Sequence, residues 1–369
     1  MTKLVGTILK LTNIFFVLIC LLTCLIPFLP AGRFWMIAAL GLVFPLLFVI
    51  VIIFFIGWLI AKSRWCLLSL AALVISWQQI SVVAGLNTAN EFNYSKPKET
   101  LRLFSWNVSS WGESSKNFNN KFEFRPLMFD LIIKQQADVL CLQEFWDLKE
   151  PHSKDSSLAA LKKMGYQYTY FVRSVVENEL DKMGVAILSK YPIIDSANFT
   201  YGKDHNAEKL IYADIQVNQQ KIRVFTTHLE SVRFENQEYS TLRKIKSRDE
   251  PGLKESKTII RKLRNAYKFR ATQADFVQQK ITESPYPVII CGDFNDVPNS
   301  YTYFTIKGEL QDAFLKKGFG IGRTFQYLSP TLRIDFILAA KNFEINQFRR
   351  IRYPYSDHYP IVTDLTLKN

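Results

Sequence analysis

Acidic residues are missing from the first quarter of this 369-residue chain. From Met1 to Leu86 there is no Asp or Glu, and only Lys3, Lys10, Arg33, Lys62 and Arg64 carry charge. A water-facing globular surface is excluded for that stretch. Histidine is scarce, with four in the whole chain, and no Cys or His cluster has zinc-ligand spacing, which argues against a zinc-binding module. The five cysteines build no disulfide framework. Cys20, Cys24 and Cys66 fall in the apolar quarter, and Cys141 and Cys291 sit inside apolar runs where a small buried hydrophobe belongs. Internal repeats and low-complexity tracts are also lacking, so no stacked-repeat architecture is expected.

What fills the acid-free quarter is three uncharged runs, Leu11–Pro30, Phe34–Ile60 and Trp65–Leu86. Each reaches the roughly 20 residues that cross a bilayer, so three transmembrane helices are expected, with Pro45 tolerated inside the second. A lipid bilayer contacted through residues 11–86 is the implied partner, and no protein partner can be inferred. Four of the five basic residues lie before the first run or between the second and third, against Arg33 alone in the other loop. The positive-inside rule then puts the amino terminus in the cytoplasm. Three crossings leave the rest of the chain outside it, which makes this an inner-membrane, multi-pass protein with an extracytoplasmic domain.

Residues 87–100 are polar, contain Pro97, and read as a linker to a domain over 101–369. The net charge of +13 also has a location. The membrane segment contributes five positive charges, and the stretch Arg243–Arg270, with eleven basic and three acidic residues, contributes eight. The remainder is neutral, so one basic arm around 231–255 carries the domain's excess. Within the domain, short β-rich apolar runs alternate with helical patterns, including a long amphipathic helix near Lys257–Ile281. Such alternation predicts an α/β fold, two packed mixed sheets between helices.

Polar residues cluster at the ends of the strand-like runs. The central one is Pro287–Cys291, which Gly292 breaks before Asp293-Phe294-Asn295. Asn107, Glu144, Asp293, Asn295 and Asp357 all offer oxygen, the donor suited to Mg²⁺, Mn²⁺ or Ca²⁺. Two of the four histidines, His228 and His358, fall at the same kind of position. A pair of imidazoles near a hard cation can divide hydrolysis, one handling the water proton and the other the leaving oxygen. Singly, each of these residues is an ordinary turn former, cap or solvated charge. Their order along the chain argues against that reading for the set, though not for the basic arm, which is what a solvated loop also looks like.

The motifs are Ser105-Trp106-Asn107, Leu142-Gln143-Glu144, Thr227-His228-Leu229, Gly292-Asp293-Phe294-Asn295, Arg333-Ile334-Asp335 and Ser356-Asp357-His358-Tyr359-Pro360. In that order they resemble the endonuclease/exonuclease/phosphatase superfamily, over Leu101 to the carboxyl end. The resemblance implies a four-layer α/β sandwich that hydrolyses phosphoesters with a divalent cation, Mg²⁺ first. It implies metal ligation by Glu144 with Asn107, and by Asp357 as a further ligand or supporting carboxylate. Asp293 and Asn295 would orient water and phosphate. His358 would be the base or transition-state partner, steadied by Asp335, with His228 assisting the leaving group. Arg270, bordering the apolar stripe of the long helix, is a candidate substrate contact. Phe336 follows Asp335 where the inositol phosphatases and the deoxyribonuclease of that superfamily carry Arg, which weakens kinship with either. The expected function is a membrane-anchored phosphoester hydrolase acting on lipid or inositol head groups. The alternatives are a nuclease acting on extracellular nucleic acid and a catalytically inactive anchored domain that binds an anion.

Overall fold

The computed structural model describes residues 2–88, 91–97, 99–112, 124–147, 156–173, 183–201, 209–234, 238, 240–241 and 253–368. Residues 242–252, the centre of the expected basic arm, lie outside them. The chain forms two compact units: Met1–Val83 with Glu230–Asp275 and Val297–Ile306, and Ala84–Leu229 with Phe276–Asp296 and Lys307–Asn369.

The second unit is the expected sandwich. One sheet runs β13(Phe343–Arg350), β14(Ile361–Leu367), β2(Leu101–Asn107), β3(Val139–Trp146), β5(Met183–Ser189) and β4(Tyr168–Arg173). The other runs β10(Gln311–Asp312), β12(Asp335–Ala339), β9(Val288–Asp293), β8(Gln220–His228), β7(Lys209–Val217) and β6(Ile193–Thr200). Their facing residues, among them Leu103, Cys141, Ile187, Ala213, Val224, Ile289, Cys291 and Ile337, form one buried core. Strands buried on both faces read as continuous apolar runs, which is why β9 is Val-Ile-Ile-Cys rather than alternating. On the outer face of the first sheet, α5(Arg125–Gln135) and α6(Ser157–Lys163) bury Met128, Ile132 and Leu161 against Phe104, Leu140 and Leu142. Ser156 caps α6, its hydroxyl accepting from the Ala159 amide.

Two parallel pairs, β2 with β3 and β8 with β9, lie near the middle of the two sheets. Both pairs end at residues with chemistry, Asn107 opposite Gln143 and His228 opposite Asp293. The antiparallel β12 begins where β9 ends, with Asp335 opposite Asp293. Gln143 ties the sheets together beneath these ends, its Nε2 donating to Thr226 Oγ1 at 2.8 Å.

The expected linker is laid along this unit. A short strand, β1(Gly85–Leu86), pairs with β11(Phe319–Gly320), and Asn87 Nδ2 donates to the carbonyls of Leu315 and Gly318. The carbonyls of Asn93 and Tyr94 accept from the buried Arg102 guanidinium, which also pairs with Asp364.

In the first unit, α1(Thr2–Thr23) and α2(Trp35–Ile60) are long and apolar enough to cross a membrane. The third expected span is corrected. Trp65–Leu86 is not one helix: α3(Cys66–Ile75) has 10 residues and is followed by the single turn α4(Trp77–Ile80). At 1.5 Å per residue α3 covers about 15 Å, half of a hydrocarbon core of about 30 Å. The break falls where the run turns polar, at Ser76-Trp77-Gln78-Gln79, and the Ser76 hydroxyl lies 3.4 Å from both the Cys20 and the Cys24 thiols. Even so, α3 runs alongside α1 in the same direction, with Lys10 over the Trp65 ring and Asn13 bonded to Ser69. The long helix α7(Leu253–Thr282) contributes its first turns to this unit, where Leu263, Tyr267 and Ala271 pack against Ala31, Trp35, Ala38 and Leu42. Its last turns belong to the second unit, with the Phe276 ring against Phe199 and Tyr201.

Gly292 is the tightest point of the sandwich near the polar strand ends. Its φ is +138°, and a Cβ there would stand 2.0 Å from the Thr227 carbonyl oxygen. Gly292→Ala should therefore destabilise the protein by about 2 kcal/mol or more, from backbone strain and overpacking together. Denaturant unfolding measures it; an unchanged midpoint would show that the β8–β9 pair relaxes around the methyl.

Candidate active site

Strand alternation alone would not assemble this site. Gln143 points between the sheets, so the next residue, Glu144, would by alternation face the other way. Instead the β3–β5 register shifts between Leu142 and Phe145, and Glu144 takes φ +47°. Such a bulge re-aims a side chain. It brings Glu144 Oε1 to 3.0 Å from Asn107 Nδ2, which donates to it. Asn107 is itself held by its neighbour: the Ser109 amide donates to its Oδ1 at 3.0 Å, and Ser109, Ser110 and Trp111 all have positive φ.

Asp293 is the common point. Its Oδ2 accepts from Asn107 Nδ2 at 3.1 Å and lies 3.7 Å from His228 Nε2 and 3.5 Å from His358 Nε2. His228 Nε2 is also 3.7 Å from Glu144 Oε1. The other oxygen of Asp293 accepts the Asn295 amide at 2.8 Å, an Asx-turn that gives Asn295 φ +51°. Asn295 Nδ2 then donates to the Leu229 carbonyl at 2.8 Å, stitching the turn to the end of β8.

His358 faces Asp335 through Nδ1, 2.9 Å from Oδ2 and 3.1 Å from Oδ1. Asp335 is oriented by Thr324, whose Oγ1 accepts the amides of Ile334 and Asp335. The ring of Phe325 stands edge-on to the imidazole at 5.0 Å, and Trp106 Nε1 donates to the His358 carbonyl. The Ser356 hydroxyl donates to the Asn107 carbonyl and accepts the His358 amide, tying this loop to β2. Asp357, between them, is part-buried.

The sequence therefore identified eight residues that the structure gathers: Asn107, Glu144, His228, Asp293, Asn295, Asp335, Asp357 and His358. Arg270 belongs to the first unit. There it is buried, donates to the Glu230 carbonyl at 3.0 Å and lies over the Tyr267 ring. Gln143, Thr226, Ser109, Thr324 and Phe325 escaped the sequence reading. Gln143 alone had a signal, its place within Leu142-Gln143-Glu144; the others act through backbone and hydroxyl contacts that leave no pattern in a single chain.

Electrostatics follow from the crowding of four carboxylates, Glu144, Asp293, Asp335 and Asp357, around two imidazoles. Burial pushes the Asp293 carboxyl above its usual range, with the Asp335 charge adding and His358 and His228 opposing. Asp357 is raised for the same first reason, with Glu144 and Asp293 adding and His358 opposing. Burial by itself would lower His358, but the charges of Asp335 and Asp293 outweigh it and hold the imidazole well above its ordinary value. Asp293, Asp335 and His358 offer ligand atoms all within 4.8 Å of one another. Because His358 Nδ1 is already bonded to Asp335, the carboxylate better placed for a hard cation is Glu144, which is part-exposed beside Asn107. The cluster's surplus negative charge and oxygen donors fit a divalent metal.

Two stacked mixed sheets with an acidic, imidazole-bearing cluster at one set of strand ends define an α/β sandwich with a hydrolase-type site. Residues 105–358 match the Endonuclease/Exonuclease/phosphatase family, and the chain belongs to that family. Its members are in general divalent-metal-dependent hydrolases of phosphoester bonds. Residues 6–83 match a separate family described as a domain of unknown function (DUF8431). Rat Nocturnin is 27% identical over 251 residues, 62% of this chain and 49% of that protein. Human Nocturnin is 27% identical over 224 residues, 55% and 44% respectively. The chain thus spans about half the length of the curated relatives it matches. The human Nocturnin catalytic domain with bound sulfate anion superposes with a TM-score of 0.54 at 21% identity, covering 73% of this chain and 94% of that one. An endonuclease/exonuclease/phosphatase from Beutenbergia cavernae gives 0.52 at 18%, covering 74% and 72%. These likenesses show the fold.

The His358–Asp335 pair makes a prediction for the metal-free protein. A folded-state pKa raised above the unfolded value contributes stability that is fully present below the unfolded value, about 6.5, and is lost as pH rises through the folded one. Asp335→Asn should bring the His358 titration down in the folded state and remove that pH-dependent stability. NMR titration of the imidazole protons checks it; an unmoved titration would detach His358 from Asp335.

Proposed function

We propose that this chain is a membrane-anchored, divalent-metal-dependent phosphoester hydrolase whose domain lies on the opposite side of the membrane from the amino terminus. The observation that carries the chemistry is the convergence of Asn107, His228 and His358 on a single oxygen of Asp293. In this reading Glu144 and Asn107 hold the metal, Mg²⁺ first, with Asp357 close behind; Mn²⁺ or Ca²⁺ suit the same oxygens. When bound, the ion polarises the phosphoryl group and offsets the carboxylate surplus.

The chain's own groups do the rest. Asp293 orients the attacking water and takes its proton, with Asn295 bracing the turn that aims it. His358, held protonated by Asp335, donates a hydrogen bond to the phosphoryl oxygen, where negative charge grows in the transition state. That favours a transition-state partner over a base for this residue. His228, between Glu144 and Asp293, is placed to protonate the leaving oxygen.

Lipid or inositol head groups are the leading substrate class, because tethering raises the effective concentration of a membrane-resident substrate. Cleavage of extracellular nucleic acid is the second reading, favoured by the basic stretch Arg243–Arg270. An inactive anion-binding domain is the third, and the full set of polar groups weighs against it. Assaying the full chain in detergent with Mg²⁺ against lipid, inositol and nucleic-acid phosphoesters separates the three. No turnover of any would leave the binding reading.

Support for the orientation comes from the four-to-one distribution of basic residues and from α3 running alongside α1, which returns the chain to the side of the α1–α2 turn. A reporter fused after Asn369 should be active only outside the cytoplasm; cytoplasmic activity would overturn this. For the site, Glu144→Gln should lose activity and regain part of it as Mg²⁺ is raised. His358→Ala should lose about 10²-fold or more in turnover without rescue. A folded His358→Ala variant with near-normal turnover would refute the mechanism.

A further inference from the structure

The long helix α7 sorts its basic residues into two sets. Lys262 pairs with Glu238 at 2.7 Å and donates to the Arg233 carbonyl, and Arg270 is buried on Glu230 and Tyr267. Lys257, Arg261, Arg264 and Lys268 are exposed, and none of the four makes an ion pair among the described residues. Their spacing of four, three and four puts them on one face of the helix. No acidic residue occurs between Lys257 and Lys268.

A stripe of this kind is by default a solvated face. Its placement within the first unit argues otherwise. The neighbouring face of α7 packs Leu263, Tyr267 and Ala271 onto Ala31, Trp35, Ala38 and Leu42, the turn before α2 and its first two turns. Gly32 in that turn is so close to α7 that a Cβ would lie 3.3 Å from Lys268 Cγ. Gly41 is closer still to the backbone of the same unit, its Cβ position 1.9 Å from the Asn299 carbonyl oxygen. With 26 residues α2 is about 39 Å long, some 9 Å more than a hydrocarbon core of about 30 Å. Arg33 stands just before α2 and marks this end as the one that meets water, and it is the end that α7 packs against. On the membrane-anchored reading the first turns of α7 therefore lie at head-group depth, packed on Trp35 beside the α1–α2 turn. Aromatic side chains favour that level of a membrane.

We propose that Lys257, Arg261, Arg264 and Lys268 form a binding surface for anionic phospholipid head groups in the leaflet on the side of the α1–α2 turn. The inference rests on the membrane-anchored reading and adds to it a lipid class and a surface. Each cation at this depth meets the negative potential of acidic lipids, and the shared face lets several phosphates be engaged at once. The surface holds the first turns of α7 at the bilayer.

The test uses the full chain in detergent, titrated calorimetrically with dihexanoyl-phosphatidylglycerol and, in parallel, with dihexanoyl-phosphatidylcholine. Phosphatidylglycerol should bind with an affinity that falls as salt is raised, and phosphatidylcholine should not. Replacing Lys257, Arg261, Arg264 and Lys268 together by Gln should weaken phosphatidylglycerol binding at least tenfold. Mg²⁺-dependent turnover of a soluble phosphoester should stay unchanged. Equal binding by the variant and the wild type would overturn the proposal. So would a stripe-dependent affinity for single-stranded oligonucleotide with none for phosphatidylglycerol. Resistance to carbonate extraction from vesicles, measured on both proteins, reports the anchor separately, so a failed anchor and a failed head-group surface give different results.

Discussion

The sandwich unit depends on keeping a carboxylate, Asp293, buried at the end of a strand. Isolated, such a group would cost several kcal/mol or take up a proton. Here it is surrounded by the Asn107 amide, two imidazoles and the Asn295 backbone amide. Each partner comes from a different strand or loop, so satisfying one carboxylate requires both sheets, the β9 turn and the loop before β14 to be in register. The polar cluster and the sandwich specify each other. Gln143 shows the same logic one layer down, where its bond to Thr226 crosses between sheets in an otherwise apolar core.

Strain is concentrated where this arrangement is hardest to reach. Glu144 and Asn295 adopt left-handed backbone, as do Ser109, Ser110 and Trp111 after Asn107. Each non-glycine residue held there costs on the order of 1 kcal/mol or more. These positions lie beside hydrogen-bonding side chains, and without the strain at Glu144 the alternation of β3 would send its carboxylate away from Asn107. The surrounding hydrogen bonds and the packed core offset that cost, which is why the site sits on the ends of buried strands and not on free loops.

Much of this was legible in the sequence because strand ends leave a mark. An apolar run that stops at a polar residue gives both the strand and the candidate site, as at Asn107, His228 and Asp293, and the six motifs together named the polar side chains that surround Asp293 among the described residues. The hairpin of β7 and β8 and the long helix α7 were readable for the same reason, clear periodicity. The bulge at Glu144 was not, since two-fold alternation in the letters Leu-Gln-Glu gives no sign that one residue is skipped. Strands β6 and β13 went unread, both half-exposed and mixed in composition. Hydropathy misjudged the third apolar run, because a count of uncharged residues does not register Ser76, Gln78 and Gln79 as the place where a helix stops.

That shortened helix changes how the first unit is put together. At 10 residues α3 is too short to cross a bilayer, and it buries one narrow face, where Ala72 packs with Val17, Cys20, Phe44 and Val51. The polar atoms it carries find partners in α1, Ser69 at Asn13 and Ser76 at Cys20 and Cys24. In an apolar medium such hydrogen bonds tie helices together, since their polar groups have no water to turn to. The first unit is thus a packed bundle rather than a set of independent tethers. The first turns of α7 join it through Tyr267 and Ala271.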